Sequence, residues 1–169
     1  PDADCIQIVF RFNWRNSEAA KLLKLTVIIL ANSKAGLIDI NLKQQQKVID
    51  PSCQVDYLND YSIHMFSGRP REGQTLEEVK DLLLEQIELV KKGEFEDWLI
   101  EATINDLKKS SIKGYENNYA RANDLVMAFT NNIPWQNYIA ELDDLRKYTK
   151  QDIVKFANEH YKDNYVVVY

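Results

Sequence analysis

The order of its strand-like and helix-like segments restricts most what this 169-residue chain can fold into. Strand patterns occur at residues 5–12, in a hairpin formed by 53–58 and 62–69, and at 165–169. Helical patterns fill residues 18–31 and most of the stretch from 75 to 161. Strands that cluster apart from helices are typical of an α+β fold. We therefore predict a two-layer sandwich, in which several helices pack on one mostly antiparallel sheet of about four strands.

The first and last strand-like segments are predicted to lie in the same sheet. In residues 5–12, Ile6, Ile8, Phe10 and Phe12 alternate with other side chains, and this period of two is typical of a half-buried strand. The sequence shows no internal repeat and no domain boundary. We expect one domain over residues 1–169, cut from a longer multidomain protein.

The clearest helix begins at a capping box. Thr75 supplies a hydroxyl at the cap and Glu78 supplies a carboxylate three residues later. An apolar stripe follows, and Lys91-Lys92-Gly93 closes the helix with two cations and a glycine. Further helices are predicted over residues 95–109, 118–129, 134–148 and, behind a cap at 149–152, up to about residue 161.

Several connections are read from turn residues. Residues 32–36 read as the C-terminal stop of the helix 18–31, with Gly36 free to take a positive φ. Residues 37–46 could hold a short helix, residues 50–52 read as a turn, and residues 68–73 read as a loop. Aromatic residues at helical spacing, Trp98 and Trp135 among them, are predicted to lie in the core.

Composition excludes two classes of partner. The chain has 21 basic and 26 acidic residues, a net charge of −5, and no basic block, so binding to nucleic acid is not expected. Its most apolar run, residues 22–31, is interrupted by Lys24 and is too short for a membrane span.

The residues that most often carry chemistry form no recognisable motif. Cys5 and Cys53 are interpreted as two buried thiols, with a single disulfide left open. His64 and His160 lack the spacing of a zinc motif, so structural or solvent-facing roles are favoured. A Cys53–His64 pair on neighbouring strands is a much weaker alternative, which would predict an independent cysteine enzyme. We expect no catalytic and no metal-binding residues in this chain.

Several motifs in order resemble the insulinase/pitrilysin family of zinc metallopeptidases. They are Gly-Gln-Thr-Leu-Glu-Glu-Val at 73–79, Glu-Gln-Ile at 85–87, Lys-Lys-Gly-Glu-Phe at 91–95, Thr-Lys-Gln-Asp-Ile-Val-Lys-Phe-Ala-Asn at 149–158, and Asn-Tyr-Val-Val-Val-Tyr at 164–169. The resemblance covers essentially the whole chain. It implies an insulinase-like α+β domain.

The resemblance also implies a division of labour between domains. In that family one domain carries the zinc motif His-x-x-Glu-His, which is absent from this sequence. The chain therefore resembles a non-catalytic domain, inactive or C-terminal, that helps to enclose a substrate chamber and binds extended peptide. Its expected partners are a catalytic zinc-binding domain, in the same polypeptide or a paired subunit, and a peptide or unfolded protein. Zinc is expected in that neighbouring domain, and a bacterial periplasmic or cytoplasmic location fits.

Two positions are candidates for the substrate chamber. Some domains of the family carry an Arg and, seven residues later, a Tyr that contact substrate near the zinc. Lys43 and Asp50 stand at those positions here. This departure argues against a direct part in catalysis. It leaves a second interpretation open, an assembly or structural subunit of a degenerate, inactive family member.

Overall fold

The structure, a computed structural model, describes residues 4–13, 17–58 and 60–169. The chain divides into two compact units. The first comprises Pro1–Glu96 and Lys150–Tyr169, and the second comprises Asp97–Thr149. Composition does not mark this division. That residues 1–169 act as one domain stays a prediction.

The sheet of the first unit has four antiparallel strands. They are β1 (Ile6–Phe12), β2 (Ile49–Tyr57), β3 (Ser62–Arg69) and β4 (Tyr165–Val168). Their order across the sheet is β2-β3-β1-β4, so β1 and β3 are central. The first and last strands pair directly, with Val9 opposite Val166. The predicted sheet and the predicted pairing of its terminal strands are both confirmed.

Six α-helices occur in the described residues. They are α1 (Glu18–Leu30), α2 (Leu76–Lys92), α3 (Trp98–Gly114), α4 (Asn118–Thr130), α5 (Trp135–Asp144) and α6 (Lys150–His160). A π-helical segment covers Asp39–Gln44, and a 3-10 turn covers Leu145–Lys147. The α+β class is confirmed. None of these helices has the length and apolar character needed to cross a membrane.

The core of the first unit lies between the sheet and the helices. Ile6, Ile8, Phe10 and Phe12 point from β1 into this layer and are at most 5% exposed. Helix α2 adds a matching stripe of Val79, Leu83, Ile87 and Val90. Burial of apolar side chains stabilises the folded state roughly in proportion to the area buried. The alternation in β1 and the helical spacing in α2 put these side chains on one face of each element, so both favour packing of α2 on this face of the sheet.

Helix α2 begins and ends as its sequence predicts. The Thr75 hydroxyl accepts a hydrogen bond from the Glu78 backbone N–H, and the Glu78 carboxylate accepts one from the Thr75 N–H at 2.7 Å. Gly93 ends the helix in the left-handed conformation with φ 72°. These contacts satisfy backbone groups that the helix leaves unpaired at its ends.

The prediction for Gly36 is wrong. Ser33 takes the positive φ, 65°, and the Asn32 side chain accepts hydrogen bonds from the following backbone N–H groups. Gly36 is needed for a different reason. A Cβ there would lie 2.6 Å from the Leu30 carbonyl oxygen, which leaves no space for a side chain.

The turn predicted at residues 50–52 is also wrong. These residues belong to β2, whose register shifts between Ile49 and Ser52 in a bulge. Asp50 takes φ 46°, and Pro51 has no N–H to donate. A bulge uses the same turn-forming residue types as a loop, which explains the error. The predicted loop 68–73 begins later, since β3 runs to Arg69.

Two further expectations fail at the surface. Cys5 is exposed, because it precedes Ile6 and falls on the outward side of the alternation; both thiols are free. In the second unit, Trp98 is 57% exposed and Trp135 is 36% exposed, so neither is a core residue. The buried residues of that unit are Leu99, Thr103, Ile104, Ala128 and Leu145.

Candidate functional site

Strand β2 forms one edge of the sheet, and no described strand pairs with its outer side. Along an antiparallel strand, every second residue forms its backbone hydrogen bonds with a given neighbouring strand. The Leu58 N–H donates to the Tyr61 carbonyl at 3.0 Å, so residues 58, 56, 54 and 52 are the ones bonded toward β3. The backbone N–H and C=O groups of Cys53, Val55 and Tyr57 therefore point away from β3, toward the open edge.

An open groove of about 1060 Å³ lies beside the start of this strand. One wall is formed by Lys47 and Ile49, the other wall by helix α2, and the end by the loop from Arg71 to Gln74. Ile49 is 41% exposed, so the groove offers an apolar contact as well as polar ones. Its size is that of a site for several residues of a ligand.

The α2 wall presents one face of the helix. Glu78, Asp81, Leu82 and Glu85 line the groove, and spacings of three, four and seven residues bring side chains to the same side of a helix. Asp81 and Glu85 are exposed, while Leu82 is half-buried between them. This wall therefore combines negative charge with one apolar side chain.

Long-range hydrogen bonds hold the opposite side of the groove in place. Arg71 Nη1 donates to the Gln46 carbonyl at 2.7 Å, and Gln74 Nε2 donates to the Lys47 carbonyl at 3.2 Å. Gln74 also accepts from the Arg71 N–H through Oε1. The sequence interpretation missed this groove. The signal in the sequence was the helical spacing of Glu78, Asp81 and Glu85, which puts three carboxylates on one face of α2.

The two predicted chamber residues flank this region in sequence. Lys43 lies exposed in the π-helical segment Asp39–Gln44, a rare conformation that often occurs at functional sites. Asp50 lies exposed in the β2 bulge and forms an ion pair with Arg69. Neither side chain lines the groove. Their part in a substrate chamber stays a prediction.

The pairing of β2 with β3 does bring Cys53 and His64 together. Cys53 Sγ lies 2.8 Å from His64 Nε2, and His64 Nδ1 lies 2.6 Å from the Tyr161 hydroxyl oxygen. Burial lowers the pKa of His64 to about 3. Burial, and then the negative charge of Asp39, raises the pKa of the Cys53 thiol well above its usual value. Both partners are neutral at pH 7, so this pair lacks the thiolate of a cysteine nucleophile.

The described residues do not fit a zinc ion. Both ring nitrogens of His64 already have partners, and His160 Nδ1 lies 3.0 Å from the Phe156 carbonyl oxygen. Zinc needs three or four Cys, His or carboxylate ligands around one point. Within residues 4–13, 17–58 and 60–169, no group of three such side chains could hold a metal ion.

Comparisons with known proteins give a clear answer only at the level of structure. No known protein-family pattern matches the sequence, and no curated protein matches it. Among solved structures, a protease from Helicobacter pylori superposes with a TM-score of 0.88 at 17% identity, over 97% of this chain and 40% of that one. The inactive peptidase domain of a provisionally assigned zinc protease from Bordetella parapertussis gives 0.84 at 15% identity, over 99% and 90%. This chain has the fold of such peptidase domains.

The fold implied by the insulinase-type resemblance is thereby confirmed. A chain of complex III from Candida albicans also superposes, with a TM-score of 0.75 at 11% identity over 96% of this chain and 41% of that one. The fold thus occurs in a protease, in an inactive peptidase domain and in complex III. The chain spans about 40% of the Helicobacter pylori protease and 90% of the Bordetella parapertussis domain.

Proposed function

We propose that this chain is a non-catalytic domain of a zinc metalloendopeptidase, which helps to enclose a substrate chamber and binds extended peptide. A neighbouring domain of the parent protein, or a paired subunit, carries His-x-x-Glu-His and the zinc. The observation that carries the proposal is the open edge of β2, in a fold shared with an inactive peptidase domain.

Strand addition explains how a domain without catalytic residues contributes to substrate binding. An extended peptide can pair with the outward N–H and C=O groups of Cys53, Val55 and Tyr57, because such pairing needs only backbone groups. The adjoining groove then accommodates side chains of the same peptide. Lys43 and Asp50 lie on either side of Lys47 and Ile49 in sequence, and we assign them to the chamber wall.

A pair of substitutions at Val55 tests the peptide-binding role. Val55→Pro removes an outward N–H without removing a hydrogen bond to β3, and proline is tolerated on edge strands. Val55→Thr keeps the N–H and the branched shape, so it is the matched control. We expect an extended, fluorescein-labelled peptide to bind wild type and Val55→Thr equally, and Val55→Pro about tenfold more weakly. Equal binding by all three would reject strand addition at β2.

The catalytic part of the proposal is tested on the parent protein. We expect its coding sequence to contain His-x-x-Glu-His in a domain preceding or accompanying this one. The parent should then cleave unfolded protein, and a chelator should abolish cleavage. Cleavage that is retained in excess chelator would contradict the zinc mechanism.

The fold of the complex III chain supports a second candidate function, a structural subunit of an assembly without peptidase activity. Under this alternative the parent lacks a complete zinc motif and cleaves nothing. Co-purification of the parent with a stable complex, in the absence of any cleavage, would favour it over the peptidase.

A further inference from the structure

We propose that the groove between α2 and the start of β2 selects positively charged segments, with a Lys or Arg side chain next to an apolar one. The inference rests on the proposed function, because it specifies the peptide that the open edge of β2 holds. It concerns the side chains of the ligand, whereas strand addition concerns only its backbone.

The charges that line the groove are unequal. Four carboxylates, those of Glu72, Glu78, Asp81 and Glu85, face two cationic side chains, Lys47 and Arg71. Glu78 is committed to capping, since its carboxylate accepts hydrogen bonds from Thr75. The exposed carboxylates of Asp81 and Glu85 are the groups that a ligand cation would reach.

The groove also separates its charges in space. Asp81 and Glu85 lie on the helical wall, whereas Lys47 lies just before β2 and the loop carries Arg71 beside Glu72. A ligand cation is attracted to the helix and repelled by Lys47, which orients it. Lys80 lies 4.0 Å from Asp81 and weakens this attraction there.

Apolar contacts place the neighbouring residue of the ligand. Leu82 lies between Asp81 and Glu85 on the helix, and Ile49 lies on the facing wall. An aliphatic side chain that enters between Leu82 and Ile49 buries apolar area on both sides. A basic residue beside it then lies next to the carboxylates. The preferred segment is therefore both basic and apolar, and not simply cationic.

The experiment compares three labelled nonapeptides built from Ala, Thr and Leu, with two Lys, two Glu or two Gln at the same central positions. Binding to the full chain is measured by fluorescence anisotropy at low salt. We expect the Lys peptide to bind about tenfold more tightly than the Glu peptide. The preference should shrink as salt is added, because exposed charges are screened beyond about 10 Å at 0.1 M.

Charge-neutralising variants locate the effect. Asp81→Asn combined with Glu85→Gln should reduce the preference for Lys over Glu to about threefold or less. Glu159→Gln, an exposed carboxylate of α6 outside the groove, is the control and should leave the preference unchanged. The single variants Asp81→Asn and Glu85→Gln are measured beside this control, since each removes one charge as it does. If the preference for Lys fell equally in Glu159→Gln and in either single variant, it would depend on the overall net charge, and the proposal would be overturned.

The outcomes separate this inference from the proposed function. Equal binding of the Lys, Glu and Gln peptides, weakened by Val55→Pro, would overturn the groove's selectivity and keep the peptide-binding domain. Binding of no peptide would overturn both. Selective binding of the Lys peptide that is insensitive to Val55→Pro would keep the selectivity and reject pairing at the edge of β2.

Discussion

The two outer strands of the sheet differ in length, chemistry and support. Strand β2 has nine residues, with Ser52, Gln54 and Asp56 on its exposed face. Strand β4 has four residues, and its exposed side chains are Val166 and Val168. Very short edge strands limit unwanted pairing, and charged side chains on an edge have the same effect.

These differences between β2 and β4 suit the two edges of the sheet to different roles. The exposed face of β4 is apolar, whereas that of β2 is polar. β2 is long enough for a peptide to pair along residues 53–57, while its bulge at Asp50 restricts pairing at the other end. β2 is also connected to the interior by polar contacts, since Cys53 and Tyr161 both lie within hydrogen-bond distance of His64. β4 is connected by ring packing, since Tyr165 lies against Phe10.

The largest expected effect on stability comes from adding a side chain at Gly68 of β3, which packs against the start of β2. A Cβ at Gly68 would lie 2.7 Å from Val48 Cγ1 and 3.2 Å from Val79 Cγ1. We expect Gly68→Val to lower the free energy of unfolding by about 3 kcal/mol through overpacking. Urea denaturation measures this change in the free energy of unfolding. Ser67→Val, on the outward face of the same strand, is the control; an equal loss there would rule out overpacking as the cause.

The next largest effect on stability concerns the contacts of His64 with Cys53 and Tyr161, which connect β2 to the interior. Tyr161→Phe leaves His64 Nδ1 buried without its partner, which should destabilise the fold by about 2 kcal/mol. The same change on β4, Tyr165→Phe, should cost less than about 0.5 kcal/mol. Comparable losses in the two variants, measured by denaturant unfolding, would mean that the two edges are supported alike.

Acid should lower the stability that depends on buried, neutral His64. The pKa of His64 is about 3 in the folded chain because of burial, against a usual 6.5. The unfolded chain therefore takes up a proton first, so stability is full above pH 6.5 and falls as the pH drops toward 3. The loss from this residue is about 1.4 kcal/mol by pH 5.5.

A histidine variant isolates this contribution from that of the carboxylates. The free energy of unfolding of His64→Leu should depend less on pH between 7 and 5.5 than that of wild type. A pH dependence that is unchanged in His64→Leu would show that another group titrates. Thermal unfolding at each pH gives the comparison.

The smallest effect is expected at the bulge of β2. Asp50→Gly removes an exposed ion pair with Arg69 but relieves a positive φ of 46°, so the two changes nearly cancel. We expect a net change within about 0.5 kcal/mol. Asp50→Ala keeps the unfavourable φ and should be the less stable of the two. Both variants lack the ion pair, so the reverse order in urea unfolding would mean that the positive φ at residue 50 does not destabilise a residue that carries a Cβ.

Local patterns predicted much of the first unit. The alternation of Ile6, Ile8, Phe10 and Phe12 predicted β1 and its buried face. Thr75, Glu78 and Gly93 predicted both ends of α2, because caps depend on residues close in sequence. The overall order of the segments predicted the α+β class and the pairing of the terminal strands.

Features that depend on distant contacts were not predicted. The start of β2 was taken for a turn, since Asp50 and Pro51 suit both a turn and a bulge. The groove was missed because Arg71 and Gln74 shape it by bonding to Gln46 and Lys47, more than twenty residues earlier. The contact between Cys53 and His64 was foreseen as a consequence of strand pairing, but burial of the pair needs helix α6, which supplies Tyr161 from 97 residues away.

Backbone hydrogen exchange tests the central claim most directly. Amide exchange would be measured by NMR in the free chain and with saturating extended peptide. We predict that the outward amides of Cys53, Val55 and Tyr57 slow by at least about tenfold when peptide is bound, while the amides of β4 do not change. Protection at β4 with none at β2, or no change at either edge while the peptide is bound, would contradict a peptide-binding role for the β2 edge.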